Sequence, residues 1–201
     1  MEDSNAETTP AFSCLYFGYA SNLSPRTLQQ RCPGSMYVGL AVLPGWKFII
    51  SSVGFGNIIR ASDDDIVYGN LYFLTQQHED ALDKSEEVPH WHQKLTLDVR
   101  MVSKDGSGWQ SGQEAPATCY TDTKRTTEGV ISKEYIIWMR KAIADGVESG
   151  VPADYFRKYV DKFLPEDGLV GKEEDIIMVR TIEHNKEDLQ FVPREMLKRE
   201  S

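Results

Sequence analysis

The sequence predicts an α+β fold: a curled, barrel-like mixed sheet with flanking helices. Strand-like runs fill the first part of the chain and the two best helical patterns come late, an order that disfavours a doubly wound parallel sheet. The run at 66–74, IVYGNLYFL, is apolar on both faces. Val67, Leu71 and Phe73 lie on one, and Ile66, Tyr68, Tyr72 and Leu74 on the other, so this strand is expected to be central and covered on both sides.

The elements follow in order. Residues 1–11 are acidic and polar and read as a flexible tail. Leu15, Tyr16, Phe17 and Tyr19 favour a strand. Ser24-Pro25 then gives a cap-plus-proline start to a helix at 26–31. A second strand at 36–43 meets the turn Pro44-Gly45, and a third at 46–52 is expected to return along it as a hairpin. Gly54 and Gly56 interrupt, 57–62 reads as a short strand, and Asp63-Asp64-Asp65 as a solvated acidic turn.

After the central strand, Thr75 caps a helix over 76–85, and Val88-Pro89 ends it. Leu95, Leu97, Val99 and Met101 alternate with Thr96, Asp98 and Arg100, the period of a half-buried strand. A Gly/Ser/Gln-rich loop spans 103–114 and a last strand 117–120. Ser132 opens the longest helix, to 149, with Ile136, Met139, Ile143 and Val147 as its buried stripe. Gly150 stops it. Pro152 starts another helix with Tyr155, Phe156, Tyr159, Val160 and Phe163 apolar. One domain is expected over 12–170, with a partly ordered extension at 171–201: 175–182 is apolar enough to be ordered, and 185–201 is charged.

Composition bounds the function. The 201 residues carry a net charge of -9 with no basic stripe, which disfavours nucleic acid or an anionic membrane as partner. Three cysteines without metal spacing suggest a reducing compartment. No stretch approaches the ~18 apolar residues of a membrane helix. With no signal or transit segment at the start, a cytoplasmic protein is expected.

Three constellations compete for the chemistry. His90 and His92 share a face if they lie on a strand, but no third metal ligand is spaced with them. Cys14, Cys32 and Cys119 are possible nucleophiles, although buried structural thiols are common. The third constellation is the loop 18–23 with a carboxylate in the LDKSEEV segment at 82–88. Between a strand and a helix start, such a loop exposes unpaired backbone N–H groups and suits a carboxylate or phosphate. Read blindly, it is also an ordinary strand–turn–helix joint, and the acids are also solvated surface charges.

Tyr19-Ala20-Ser21-Asn22, after an aromatic strand, resembles the opening motif of the γ-glutamylcyclotransferase family (AIG2-like superfamily), usually Tyr-Gly-Ser-Asn. Leu82-Asp83-x-x-Glu86 resembles the family's Leu-Asp-x-x-Glu-Gly segment. Cys119-Tyr120 is similar to its Ser-Tyr, Ser132 to Tyr135 to its Pro-Ser-x-x-Tyr helix, and Gly150 to Tyr155 to the continuation. The likeness runs over 15–164. The chain departs at Ala20 and Glu87, where the family has Gly, and the second departure leaves Glu86 and Glu87 both open as the base.

The resemblance implies a cofactor- and metal-independent enzyme, of lyase or acyltransferase type, that releases 5-oxoproline from a γ-glutamyl compound, as in glutathione metabolism. Glu86 would be the general acid/base. Tyr16, Gly18, Tyr19, Ala20, Ser21, Asn22, Leu23, Tyr120 and Tyr135 would bind the substrate, with Tyr120 a possible oxyanion donor. Burial beside apolar or aromatic neighbours is expected to tune the base. A γ-glutamyl amino acid, a γ-glutamylamine and a glutathione-derived conjugate all remain open as substrate. So do a catalytically silent binding or regulatory module, and monomer or homodimer.

Overall fold

The computed structural model describes residues 11–102 and 110–165. Its strands are β1 (Phe12–Gly18), β2 (Met36–Pro44), β3 (Trp46–Ile50), β4 (Gly56–Arg60), β5 (Ile66–Thr75), β6 (Gln93–Met101) and β7 (Glu114–Thr121). Its helices are α1 (Pro25–Arg31), α2 (Gln76–Ser85), α3 (Lys133–Glu148) and α4 (Ala153–Tyr159). Five strands close a barrel in the order β1-β5-β2-β6-β7. Every pair is antiparallel except β1 with β7, which meet in parallel at Tyr16 and Thr118 and complete the ring. The fold is therefore α+β with a closed mixed barrel, and closure leaves its strands without a free edge.

The central position expected for 66–74 follows from its two-sided apolar pattern. β5 pairs β1 along one side and β2 along the other. Tyr72 and Leu74 pack with Leu28, Cys32 and Leu82 under α1 and α2, while Val67 and Leu71 enter the larger core shared with α3 and α4. Burying each large side chain contributes roughly 1.5–3 kcal/mol. The caps lie where Ser24, Thr75 and Ser132 signal them: their hydroxyls accept from Thr27, His78 and Tyr135 N–H.

Three expectations change. β3 does not form a hairpin with β2; it pairs β4 in a separate two-stranded sheet. Both edges of β2 are already taken by β5 and β6, and Gly45, at φ 74, turns the chain away. The stripe of α3 runs through Ile136, Met139, Ala142 and Gly146, while Val147 is 49% exposed. A Cβ at Gly146 would stand 2.8 Å from Leu23 Cδ2 and 2.9 Å from Phe156 Cζ, so the helix approaches its neighbours through the missing side chain. Finally, the N-terminus of α1 is not an open anion site. Ser24 Oγ and Arg26 Nη1 both donate to the buried carboxylate of Asp145 on α3, which already supplies the negative charge that this helix end favours.

The readings made for 1–10, 103–109 and 166–201 lie outside the described residues. Among the described residues no helix is long and apolar enough to cross a membrane.

Candidate active site

β1 delivers the chain to the mouth of the barrel and ends at Gly18. A Cβ there would lie 2.6 Å from the carbonyl oxygen of Asn22, so only glycine lets the loop fold back this tightly. The loop is itself a 3-10 turn, Ala20–Leu23, closed by Asn22 N–H donating to Tyr19 O at 3.0 Å. Ala20 sits at φ 52, the left-handed region that costs a β-carbon roughly 1–2 kcal/mol. The methyl fills space left by Gly56, where an added Cβ would stand 2.8 Å from it.

Four side chains hold the turn in place. Tyr19 Oη donates to Tyr120 O (2.8 Å), Asn22 Nδ2 to Tyr16 Oη (2.9 Å), and Asn70 Nδ2, on the central strand, to Leu23 O (2.7 Å). Tyr135, at the start of α3, places its hydroxyl beside Ser21.

Glu86 is the C-cap of α2, where the helix ends and the chain turns toward β6. Its carboxylate, 17% exposed, has Oε1 3.4 Å from Arg31 Nη1 and Oε2 3.3 Å from His92 Nδ1. His92 Nδ1 is also 3.0 Å from the Glu86 carbonyl oxygen. With acceptors on both sides, Nδ1 is the nitrogen that carries hydrogen. The neighbours expected to be apolar or aromatic thus include a guanidinium and an imidazole, brought in from the end of α1 and the turn before β6. Arg125 stacks on the Trp91 ring, its guanidinium carbon 3.7 Å from the centroid. Arg125 is itself held by buried Asp122, so the turn carrying Trp91 and His92 is anchored from behind.

Glu86, Tyr16, Tyr19, Ala20, Ser21, Asn22, Tyr120 and Tyr135 line one cleft of about 100 Å³. Gly18 and Leu23 stand behind the lining as buried supports. Glu87 does not line the cleft; it sits at φ 49, the second of two non-glycine residues in the left-handed region among those described. Both therefore stand where the family pattern has glycine. Glu87→Gly is expected to raise stability by up to about 1 kcal/mol, by relieving this backbone. It should leave turnover unchanged, as read by thermal melting beside the activity assay.

Sequence reading missed Arg31, Phe55, Gly56, Ser85, Trp91 and His92, which complete the lining. Phe55 and Gly56 arrive on the β3–β4 hairpin, and Phe55 meets Tyr135 edge-on at 5.3 Å. Only the His90/His92 pair carried a signal, and it pointed elsewhere: both lie in a turn, with His90 exposed and His92 in the cleft. Among the described residues no group of three metal-ligating side chains gathers.

Burial pushes the Cys14 and Cys119 thiols up and Cys32 up to about 12, so none offers a ready thiolate. Burial, then the charge of Glu86 among other groups, holds the Tyr16 hydroxyl well above its usual range. Burial does the same for Tyr19.

Residues 66–159 match the model of the AIG2-like family. The chain is similar in structure to an uncharacterized protein from Homo sapiens (TM-score 0.65, 22% identity, covering 85% of this chain and 99% of that one). It is similar to a γ-glutamyl cyclotransferase (TM-score 0.64, 21% identity, 84% and 98%). It also resembles YkqA from Bacillus subtilis (TM-score 0.56, 17% identity, 75% and 53%). No curated protein sequence matches the chain. The closed mixed barrel with helices packed around it is a fold that the chain shares with the γ-glutamyl cyclotransferase structure, and the matched segment, just under half of the chain, is similar to the AIG2-like family. The matched segment includes Glu86, Tyr120 and Tyr135, while the loop at 18–23 lies outside it.

Proposed function

We propose that the protein is a γ-glutamylcyclotransferase that releases 5-oxoproline from a γ-glutamyl compound. The observation that carries this reading is a single cleft with a carboxylate, Glu86, and the backbone turn Ala20–Leu23 in the same lining. That turn would hold the substrate α-carboxylate through N–H groups and so aim the α-amine. Nucleophile and electrophile belong to one molecule, so folding the substrate into a ring-closing shape supplies much of the rate.

The amine arrives as an ammonium and cannot attack. Glu86 takes its proton, and the freed lone pair forms the new C–N bond at the γ-carbonyl, whose π electrons move to oxygen. The tetrahedral centre then collapses and the bond to the leaving amine breaks. Glu86 returns the proton to that amine, then takes the second proton that the ring nitrogen sheds as it becomes the lactam N–H and passes it on the same way, so that the amine leaves as an ammonium and Glu86 ends ionised. Arg31 and His92 fix the direction of the carboxylate between the transfers.

The test is a panel of γ-glutamyl amino acids, γ-glutamylamines and glutathione-derived conjugates, scored for 5-oxoproline by mass spectrometry with and without chelator. At least one compound is expected to turn over, at the same rate with chelator present. Binding without turnover across the panel would make the protein a binding module, and rate loss restored by metal would overturn the metal-free mechanism.

A further inference from the structure

The ring closure proposed above needs a hydrogen-bond donor for the developing oxyanion and acceptors for the substrate amine. Two tyrosines line the cleft with ring centroids 5.9 Å apart, and their hydroxyls are wired in opposite senses. Tyr120 Oη donates to Asp83 Oδ1 at 2.5 Å, and Lys94 Nζ lies 2.7 Å from the other oxygen of that carboxylate. A carboxylate so paired only accepts, so the Tyr120 proton is committed to it and what remains for the cleft is a lone pair. Burial and Asp83 together push the Tyr120 hydroxyl far above its usual range, so that proton stays in place.

Tyr16 is the reverse. Its oxygen accepts from Asn22 Nδ2, and among the described residues no acceptor takes its proton. A phenol that receives one hydrogen bond becomes a better donor of its own, because the bonds in such a chain polarise one another. The amide oxygen of Asn22 is also buried without a partner.

We infer that, within the ring-closing chemistry proposed above, Tyr16 is the oxyanion donor, and that Tyr120, held by Asp83 as a positioning residue, accepts a hydrogen bond from the substrate amine. The role open to Tyr120 from sequence, oxyanion donor, therefore passes to Tyr16.

The experiment compares Tyr16→Phe and Tyr120→Phe on the best substrate of the panel. Tyr16→Phe is expected to lower kcat by about 100- to 1,000-fold with KM within a few fold. Tyr120→Phe should mainly raise KM, with kcat within tenfold. A Tyr16→Phe kcat within tenfold of wild type, or an equal kcat loss in both variants, overturns the assignment.

Because Tyr16 is buried, a second probe does not depend on the fold tolerating phenylalanine. With 3-fluorotyrosine at position 16, the fluorine resonance should shift on addition of 5-oxoproline, whose lactam oxygen stands where the oxyanion forms. No shift overturns the inference whether or not the wild type turns over. Absent turnover in the wild type with a shifted resonance sinks the reaction while leaving the contact standing.

Discussion

Glu86→Gln should retain the fold and lose 5-oxoproline release by about 100- to 10,000-fold, the range that general acid–base catalysis supplies. The amide has nearly the volume of the carboxylate and still offers an oxygen to Arg31, so the cap of α2 and the wall of the cleft survive. What it lacks is a site that takes up and returns a proton. The Arg31 partnership is long, at 3.4 Å, and partly exposed, so its loss costs little stability. A melting temperature within a few degrees of wild type would show that the missing step is chemical. Release within tenfold of wild type would remove Glu86 from the mechanism.

Gly18→Ala, although Gly18 does not line the cleft, is expected to be nearly as damaging. The new methyl carbon would sit 2.6 Å from Asn22 O and 3.2 Å from Tyr16 Cε1. The first is backbone and cannot rotate away, so the 3-10 turn must shift. Overpacking of this kind costs roughly 1–3 kcal/mol. A displacement of the turn of about 1 Å would also lower kcat/KM by about 100-fold, because the donors proposed for the substrate carboxylate would move with it. Thermal melting and the mass-spectrometric assay together read both effects. Wild-type values in both would show that the loop has room that the close approach denies.

Much of the scaffold was legible because its causes are local. Ser24-Pro25, Thr75 and Ser132 announce helix starts through groups that act within one turn, and the alternation at 95–101 announces a half-buried strand through its period of two. The two apolar faces of 66–74 were enough to require neighbours on both sides. The stripe of α3 was legible only in part: periodicity selects Val147, but the helix turns Gly146 inward because that position admits Leu23 and Phe156. The hairpin of β3 was misassigned because a turn signal says that the chain reverses, not which strand still has an edge to offer.

The sequence alone determined where the chain starts and stops its elements, which strand is central, and that two acids and an aromatic loop were the residues to watch. Tertiary structure decided how they act. It set Arg31 and His92 on Glu86, gave Asp145 to the N-terminus of α1, and left the Tyr16 hydroxyl without an acceptor among the described residues while Tyr120 donates its own to Asp83. The partners in these contacts stand 6 to 121 residues apart in the chain. A hydrogen bond has a direction only once donor and acceptor face each other, and closing the barrel is what makes them do so.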